Sequence, residues 1–247
     1  MKPIGPWLRR AVSRFGICLE DGRIVGEWQI TSLRRLIFRQ VDRAEYDRLV
    51  GTYWHPDEIR KARENERLFV QMALRLRLDR MASLKILDIG GKAGMFAFVC
   101  RCLGHEAWTT DLESMLARSP NPELYRLFGV QAFALAIEPF RPIPFTGRRY
   151  DLVTGFRTRF HSRYMWETGL DREIHWGPAE WDFFLRDLAC NHLAENGRVF
   201  FRLNRLQERE RNDDFPRPMR DYFASVGGEL DGCLLSFPDL KRLRRKA

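Results

Sequence analysis

Two carboxylates, Asp88 and Asp111, bracket a glycine-rich turn, Gly90-Gly91-Lys92-Ala93-Gly94, in the 247-residue chain. A turn of this kind leaves backbone N–H groups facing outward and lets a ligand approach the main chain closely. Asp111 stands about 20 residues past the turn, where a carboxylate meets the ribose of a nucleotide seated on it. Two ribose hydroxyls call for an acceptor-only partner, and an ionised Asp is one. Lys92 interrupts the glycines, so its side chain must either crowd the ligand or take a left-handed backbone. His161 is the first candidate for a general base, because imidazole titrates nearest to neutral pH. His175, Trp176 and the segment from Glu208 to Phe215 are further candidates for an acceptor pocket.

The patterning supplies elements that could position these groups. Ile86 to Ile89 is a short apolar strand ending in the turn. Gly94 to Leu103 is apolar almost all round, as a helix packed on a sheet is, and Gly104 stops it. Ala107 to Thr110 is a second strand with Asp111 at its carboxyl end. Gln131 to Ile137, Tyr150 to Val153 and Val199 to Leu203 continue the series, with an amphipathic helix from Trp181 to Leu193. Phe215 to Ser225 adds a helix and Cys233 to Phe237 a strand. The fold class expected is α/β: a Rossmann-like doubly wound, mostly parallel sheet of six or seven strands. In such a sheet the carboxyl ends of the strands open on the ligand cleft, and His161 follows the fourth strand.

This order of motifs resembles the class I S-adenosylmethionine-dependent methyltransferases, over about Leu84 to Asn204. The family's loop reads acid, any, Gly, any, Gly, any, Gly; Asp88, Gly90 and Gly94 match it, and Lys92 stands at the middle glycine. Glu138, ahead of Pro142-Ile143-Pro144-Phe145, is similar to the family's acid before a Leu-Pro-Phe-like tripeptide. His161 falls where many members acting on small molecules carry His. The resemblance implies S-adenosylmethionine as cofactor. Asp88, Gly90, Gly91 and Gly94 would lie at its amino-acid end, Asp111 and Leu112 at the ribose, and Ile137 and Glu138 beside adenine. It further implies methyl transfer to oxygen or nitrogen of a small-molecule acceptor, which is favoured over structured RNA. A third reading, from another class, is a methyltransferase-like binding module whose loop is damaged at Lys92.

Other uses of a glycine turn lack support. No first, third and sixth glycine series opens a dinucleotide fold, and GxxxxGK[ST] is absent. The Asn/Asp-Pro-Pro-aromatic tetrapeptide of amide and exocyclic-nitrogen methyltransferases does not follow Val153. The five cysteines and five histidines show no metal-ligand spacing, so no metal is expected, and the thiols are expected reduced and buried. No apolar run is long enough to span a bilayer, and the start lacks a secretory apolar segment, which predicts a cytoplasmic protein. The net charge of +9 is carried by arginine, the only lysines being Lys2, Lys61, Lys85, Lys92, Lys241 and Lys246. Arginine excess suits phosphate recognition or reflects base composition alone. The acceptor atom and oligomeric state are not written in these residues.

Residues 1–83 are expected to form an N-terminal extension, and residues 84–247 a catalytic domain. Asp21-Gly22 marks a hairpin between Ile17–Glu20 and Arg23–Ile30. From Pro56 a long helix should run, with Ile59, Ala62, Phe69, Met72 and Leu76 near one face. Tyr53, Trp54 and His55 at its start are candidate lid residues, or staple the helix to the core. Trp7 to Phe15 could form a short basic amphipathic helix.

Overall fold

A computed structural model describes residues 18–20, 23–144, 146–158, 160–163, 174–203, 215 and 217–244. The segment from Trp7 to Phe15, the run from Glu208 to Asp214 and Arg159, Tyr164, Trp166 and Arg172 lie outside the described residues.

Strands β1 (Cys18–Glu20) and β2 (Arg23–Val25) pair antiparallel around Asp21-Gly22, as the turn signal predicts. The second strand then stops early. Residues read as its continuation begin helix α1 (Glu27–Phe38), with Gly26 extended at the N-cap, Glu27 in the first turn and Ile30, Ile37 and Phe38 buried. Spacings of 7 and 8 residues put these side chains on one helical face, which outweighs the β-propensity of Ile and Trp. Helix α2 (Arg43–Tyr53) starts at Asp42, whose carboxylate accepts from Glu45 N–H at 3.0 Å. Helix α3 (Pro56–Arg75) has Pro56 in its first turn and a capping box: His55 N–H donates to the Glu58 carboxylate at 3.1 Å, and the His55 ring accepts from Asp57 N–H. Ala62, Phe69 and Met72 of α3 and Leu76 at its C-cap are buried, as the periodicity predicts, whereas Ile59 is only half-buried.

The main sheet comprises β3 (Lys85–Ile89), β4 (Glu106–Asp111), β5 (Gln131–Ala134), β6 (Tyr150–Thr158), β9 (Leu193–Leu203), β10 (Glu229–Asp231) and β11 (Leu234–Phe237). Its order is β10-β11-β9-β6-β3-β4-β5, with β11 antiparallel to both neighbours and β5, β4, β3, β6 and β9 mutually parallel. This is the expected Rossmann-like doubly wound sheet, with seven strands. The short pair β7 (His161–Arg163) and β8 (Ile174–His175) stands apart from it. Helices α4 (Met95–Cys102), α5 (Glu113–Leu116), α6 (Asn121–Phe128), α7 (Pro178–Asp187), α8 (Arg217–Ser225) and α9 (Lys241–Arg244) complete the chain.

Strand alternation sorts the core into two layers. Ile86, Leu152, Phe156 and Phe200 face α1 to α4 with Phe69, Val70 and Phe96. Leu87, Val153, Val199 and Phe201 face α7 and α8 with Trp181, Phe184 and Phe223. The chain leaves β3 through α4 towards β4 on one side, and leaves β6 towards β9 on the other. The carboxyl ends of β3 and β6 therefore flank the crevice where a doubly wound sheet binds ligands.

Candidate functional site

Asp88 sits in the middle of the sheet, in register with Thr109 of β4 and Thr154 of β6. The three form a buried polar layer across the central strands. Thr154 Oγ1 donates to Asp88 Oδ1 at 2.9 Å, and Thr109 Oγ1 donates to the Asp88 carbonyl at 3.3 Å. Asp88 is 1 % exposed, and burial pushes its carboxyl up to about 7, against the Thr154 hydrogen bond and with a further push from Asp111. A carboxylate this poorly solvated gains strongly from a cation placed beside it.

The turn above Asp88 is built from three left-handed residues, Gly90 (φ 68°), Lys92 (φ 46°) and Gly94 (φ 74°). Lys92 thus takes the strained backbone that its position among the glycines requires. Gly91 meets a different constraint: a Cβ there would lie 2.1 Å from Thr109 Oγ1 and 2.4 Å from Asp88 Oδ2. Only a residue without a side chain lets the turn cross over the buried layer. Gly91 N–H donates to the Thr110 carbonyl at 3.0 Å and Gly94 N–H to the Gly91 carbonyl at 2.9 Å. Tyr125 Oη donates to the Lys92 carbonyl, tying α6 to the turn.

Asp111 closes β4 as expected and is tied into the same turn. Its Oδ2 accepts from Lys92 N–H at 3.0 Å and its Oδ1 from Leu112 N–H at 2.9 Å. Burial raises its carboxyl above the ordinary Asp value, and these two N–H groups and the Lys92 charge pull the other way. Each carboxylate oxygen can accept more than one hydrogen bond, so capacity for a ligand's hydroxyls is left.

A cavity of about 220 Å³ lies between this turn and α3. Asp88, Gly90, Gly91, Lys92 and Phe156 wall it on the sheet side, Trp54, Lys61, Asn65 and Phe69 on the other, and Met115 and Arg118 at one end. Of the candidate lid residues, Trp54 lines this cavity, Tyr53 is exposed, and the His55 ring is used in capping α3. Asp111, Leu112, Ile137 and Glu138 do not line this cavity. Leu112 is 38 % exposed, Ile137 packs on the second core layer, and Glu138 is exposed in an ion pair with Arg141 at 2.7 Å. The backbone of His161 pairs with that of His175 between β7 and β8, and the side chains of both lie outside what is described. Trp176 is buried against Phe160 and Trp181, within the second core layer.

Sequence reasoning missed Thr109 and Thr154, whose roles depend on which strands neighbour β3. It also missed Asn65, Lys61 and Arg118. For Asn65 a signal existed: it falls between Ala62 and Phe69 on the apolar side of α3.

An S-adenosylmethionine-shaped ligand can be tested against these groups. It carries cationic, hydroxyl and amino-acid moieties. The site offers a buried carboxylate beneath a glycine turn, a second carboxylate with spare acceptor capacity, and a cavity beside the turn lined by Asn65, Lys61 and Arg118. These groups fit it. Among the described residues no cluster of His, Cys, Asp or Glu could hold a metal ion.

No family model and no curated protein matches the chain. Among solved structures it is similar to the ribosomal protein L11 methylase of Lactobacillus delbrueckii subsp. bulgaricus, at 19% identity and a TM-score of 0.39 over 69% of this chain and 76% of that one. It is also similar to an amino pentose methyltransferase of Micromonospora echinaspora with S-adenosylmethionine bound, at 21% identity and a TM-score of 0.35 over 55% and 49% of the two chains. An S-adenosylmethionine-dependent methyltransferase of Clostridium acetobutylicum is 16% identical, with a TM-score of 0.38 over 65% of this chain and 55% of its own. Likenesses this loose say nothing about the ligand or the reaction of this chain.

Proposed function

We propose that this chain is an S-adenosylmethionine-dependent methyltransferase acting on oxygen or nitrogen of a small molecule. One observation carries the reading: a glycine turn, a buried Asp88 and a strand-closing Asp111 meet at the crevice where the sheet's winding reverses, beside a cavity. When bound, the cofactor supplies an electrophilic methyl group on a sulfonium. The chain's own part is positioning and exclusion of water, which is most of what an in-line displacement needs. Gly90, Gly91 and Gly94 let the ligand approach the turn. Asp88 supplies negative charge from below. Asp111, with Leu112 beside it, accepts from ribose hydroxyls, and Ile137 and Glu138 flank adenine. Trp54 and α3 cover the cavity. His161 takes a proton from the acceptor. In this reading residues 84–247 form the catalytic domain, with residues 1–83 as an extension that covers the site.

The enzyme works in the cytoplasm, where Cys100, Cys102, Cys190 and Cys233 stay as the free thiols they are here. Consistent with this, no helix among the described residues is long and apolar enough to cross a membrane.

Calorimetry with S-adenosylmethionine and S-adenosylhomocysteine tests the cofactor. Binding of both in the micromolar range is expected, and no heat from either at millimolar concentration leaves a binding module without methyl transfer. A specific feature favours a second acceptor, structured RNA. On the opposite side of α3 from the cavity, a groove of about 440 Å³ is lined by Arg34, Arg60, Arg63 and Arg67. Arg34 and Arg63 form no ion pair among the described residues. RNA affinity that falls steeply with salt, and falls less steeply once Arg34 and Arg63 are replaced, would favour that acceptor. Absence of RNA binding at low salt favours the small molecule.

A further inference from the structure

Helix α1 buries one face and leaves the opposite one unpartnered. Ile30, Ile37 and Phe38 point into the core. On the outer side stand Trp28 and Leu36, 78 % and 61 % exposed, the two most exposed large apolar side chains among the described residues. They are two turns apart, about 12 Å along the helix and about 80° around it, so they share one surface. Arg35 and Arg39 line up with Trp28 at helical spacing; both are exposed, and neither is in an ion pair among the described residues. The one acid of α1, Glu27, is bound to Arg67, and no acid occurs between Trp28 and Val41. Arg34 lines the neighbouring groove with Arg60, Arg63 and Arg67. The sequence before the first strand adds Lys2, Arg9, Arg10 and Arg14 and no acid.

Apolar residues scattered singly over a surface need no explanation. Trp28 and Leu36 instead share one helix face, among unpaired arginines and with no carboxylate between them, and neither contributes to the core. A partner for this face is therefore anionic and also takes up apolar side chains. Nucleic acid meets the first condition: its phosphates pair with arginine and a base stacks on Trp28, but Leu36 gains nothing. A bilayer with anionic headgroups meets both. Arginine reaches the phosphates, Trp lies at headgroup level and Leu enters the acyl boundary. A bilayer also needs no pocket matched to each side chain, which suits a convex helix with two protruding residues.

We propose that the outer face of α1 docks the protein on an anionic lipid surface, with Trp28 and Leu36 inserted at the headgroup boundary and Arg34, Arg35 and Arg39 against lipid phosphates. The cavity beside the glycine turn lies on the other flank of α3, and none of these five residues borders it.

Flotation of the full chain with vesicles tests this, comparing phosphatidylcholine alone with phosphatidylcholine carrying about one-third phosphatidylserine. Wild type should float with the anionic vesicles only, and less as salt rises. Trp28→Ser/Leu36→Ser should weaken that binding at least about tenfold, as the loss of inserted apolar area predicts. Trp28→Phe/Leu36→Met, which keeps an apolar surface, should retain it. Each arginine near such a surface multiplies binding about fivefold, so Arg35→Gln/Arg39→Gln should weaken it by about 25-fold. All three double variants should melt like wild type and bind S-adenosylhomocysteine as wild type does. Failure of wild type to float with anionic vesicles overturns the proposal. So does flotation that survives Trp28→Ser/Leu36→Ser, which would place the attraction elsewhere or in charge alone. Structured RNA that binds wild type and is lost with that serine pair, while vesicle binding persists, assigns the face to nucleic acid and overturns lipid docking. A wild type that floats, loses flotation with the serine pair and binds no S-adenosylhomocysteine supports docking and sinks the proposed function alone.

Discussion

Lys92 and Asp111 are joined through the main chain: the Lys92 N–H donates to Asp111 Oδ2 at 3.0 Å, in a residue held at φ 46°. The carboxylate that ends β4 is thus first a clamp on the turn that follows β3. Its other oxygen is taken by Leu112 N–H at 2.9 Å, so both oxygens face donors. Asp111→Asn must turn an NH₂ towards one of those N–H groups and leave it unpaired. A loss of about 1–3 kcal/mol is expected, smaller than that of Asp111→Ala, which leaves both N–H groups unmet, because one unmet donor in a half-buried site costs about that much. Urea denaturation checks it. An Asn variant as stable as wild type would mean the clamp is dispensable.

The backbone of Lys92 stores strain that a glycine would release. Left-handed conformation costs a non-glycine residue roughly 1–2 kcal/mol, partly offset by glycine's greater freedom when unfolded. Lys92→Gly should therefore be more stable than Lys92→Ala by about 1 kcal/mol, since alanine keeps the strain and loses only the side chain. Equal urea midpoints for the two variants would show that the turn relaxes around any residue.

Gly91→Ala should be among the most damaging single methyl additions in the protein. The new Cβ would press on Thr109 Oγ1 and Asp88 Oδ2 at 2.1 and 2.4 Å, inside the buried polar layer. Overpacking of this kind costs about 1–3 kcal/mol, and moving the Asp88 carboxyl should abolish binding of a cationic ligand. Adding Thr109→Ala removes one clash and leaves the other, so stability should recover only in part. Gly51→Ala, on the exposed side of α2 where the Cβ meets nothing within 4 Å, is the matched control and should leave stability unchanged or raise it by up to about 1 kcal/mol.

The parts of this architecture that could be read in the sequence are those coded locally. Ile86 to Ile89, Gly90 and the helix to Leu103 announce themselves by apolar runs and glycine stops, and Pro56 marks the start of α3 because proline suits that position. Asp42 and Glu45 carry an equally local capping signal for α2. What could not be read depends on neighbours distant in the chain. Nothing near Thr154 says that it will donate to Asp88, since that bond requires β6 to lie beside β3 in register. Nothing near Asn65 says that its amide will border a cavity whose other wall is a turn 25 residues later, at Gly90. The strand from Arg23 is shorter than its sequence suggests, because Ile24, Val25, Trp28 and Ile30 favour a strand one residue at a time. The helix wins through burial of Ile30 and Ile37 against α3 and α4, a tertiary effect.

Asp88 should make both stability and ligand binding depend on pH, in opposite directions. Its folded value, about 7, lies above the roughly 3.9 of an unfolded Asp, so the native state holds the proton more tightly. Its contribution to stability is therefore full below about pH 4, is lost as pH rises to about 7, and is flat beyond. One proton is worth about 1.4 kcal/mol per pH unit, so the loss across that window reaches at most about 4 kcal/mol. Asp88→Asn keeps an oxygen for Thr154 and cannot ionise. Relative to wild type it should gain stability steadily from pH 4 to pH 7 and no further by pH 8, as read from urea midpoints. Parallel curves for the two proteins would show that Asp88 is ionised throughout. Binding runs the other way: a cation in the cavity favours the carboxylate, so wild-type affinity for S-adenosylmethionine should climb between pH 5.5 and 7.5, by up to about tenfold per unit below 7, while the Asp88→Asn variant stays flat. On the proposed function, the charge that weakens the empty protein at neutral pH is the same charge that Asp88 presents to a bound cation.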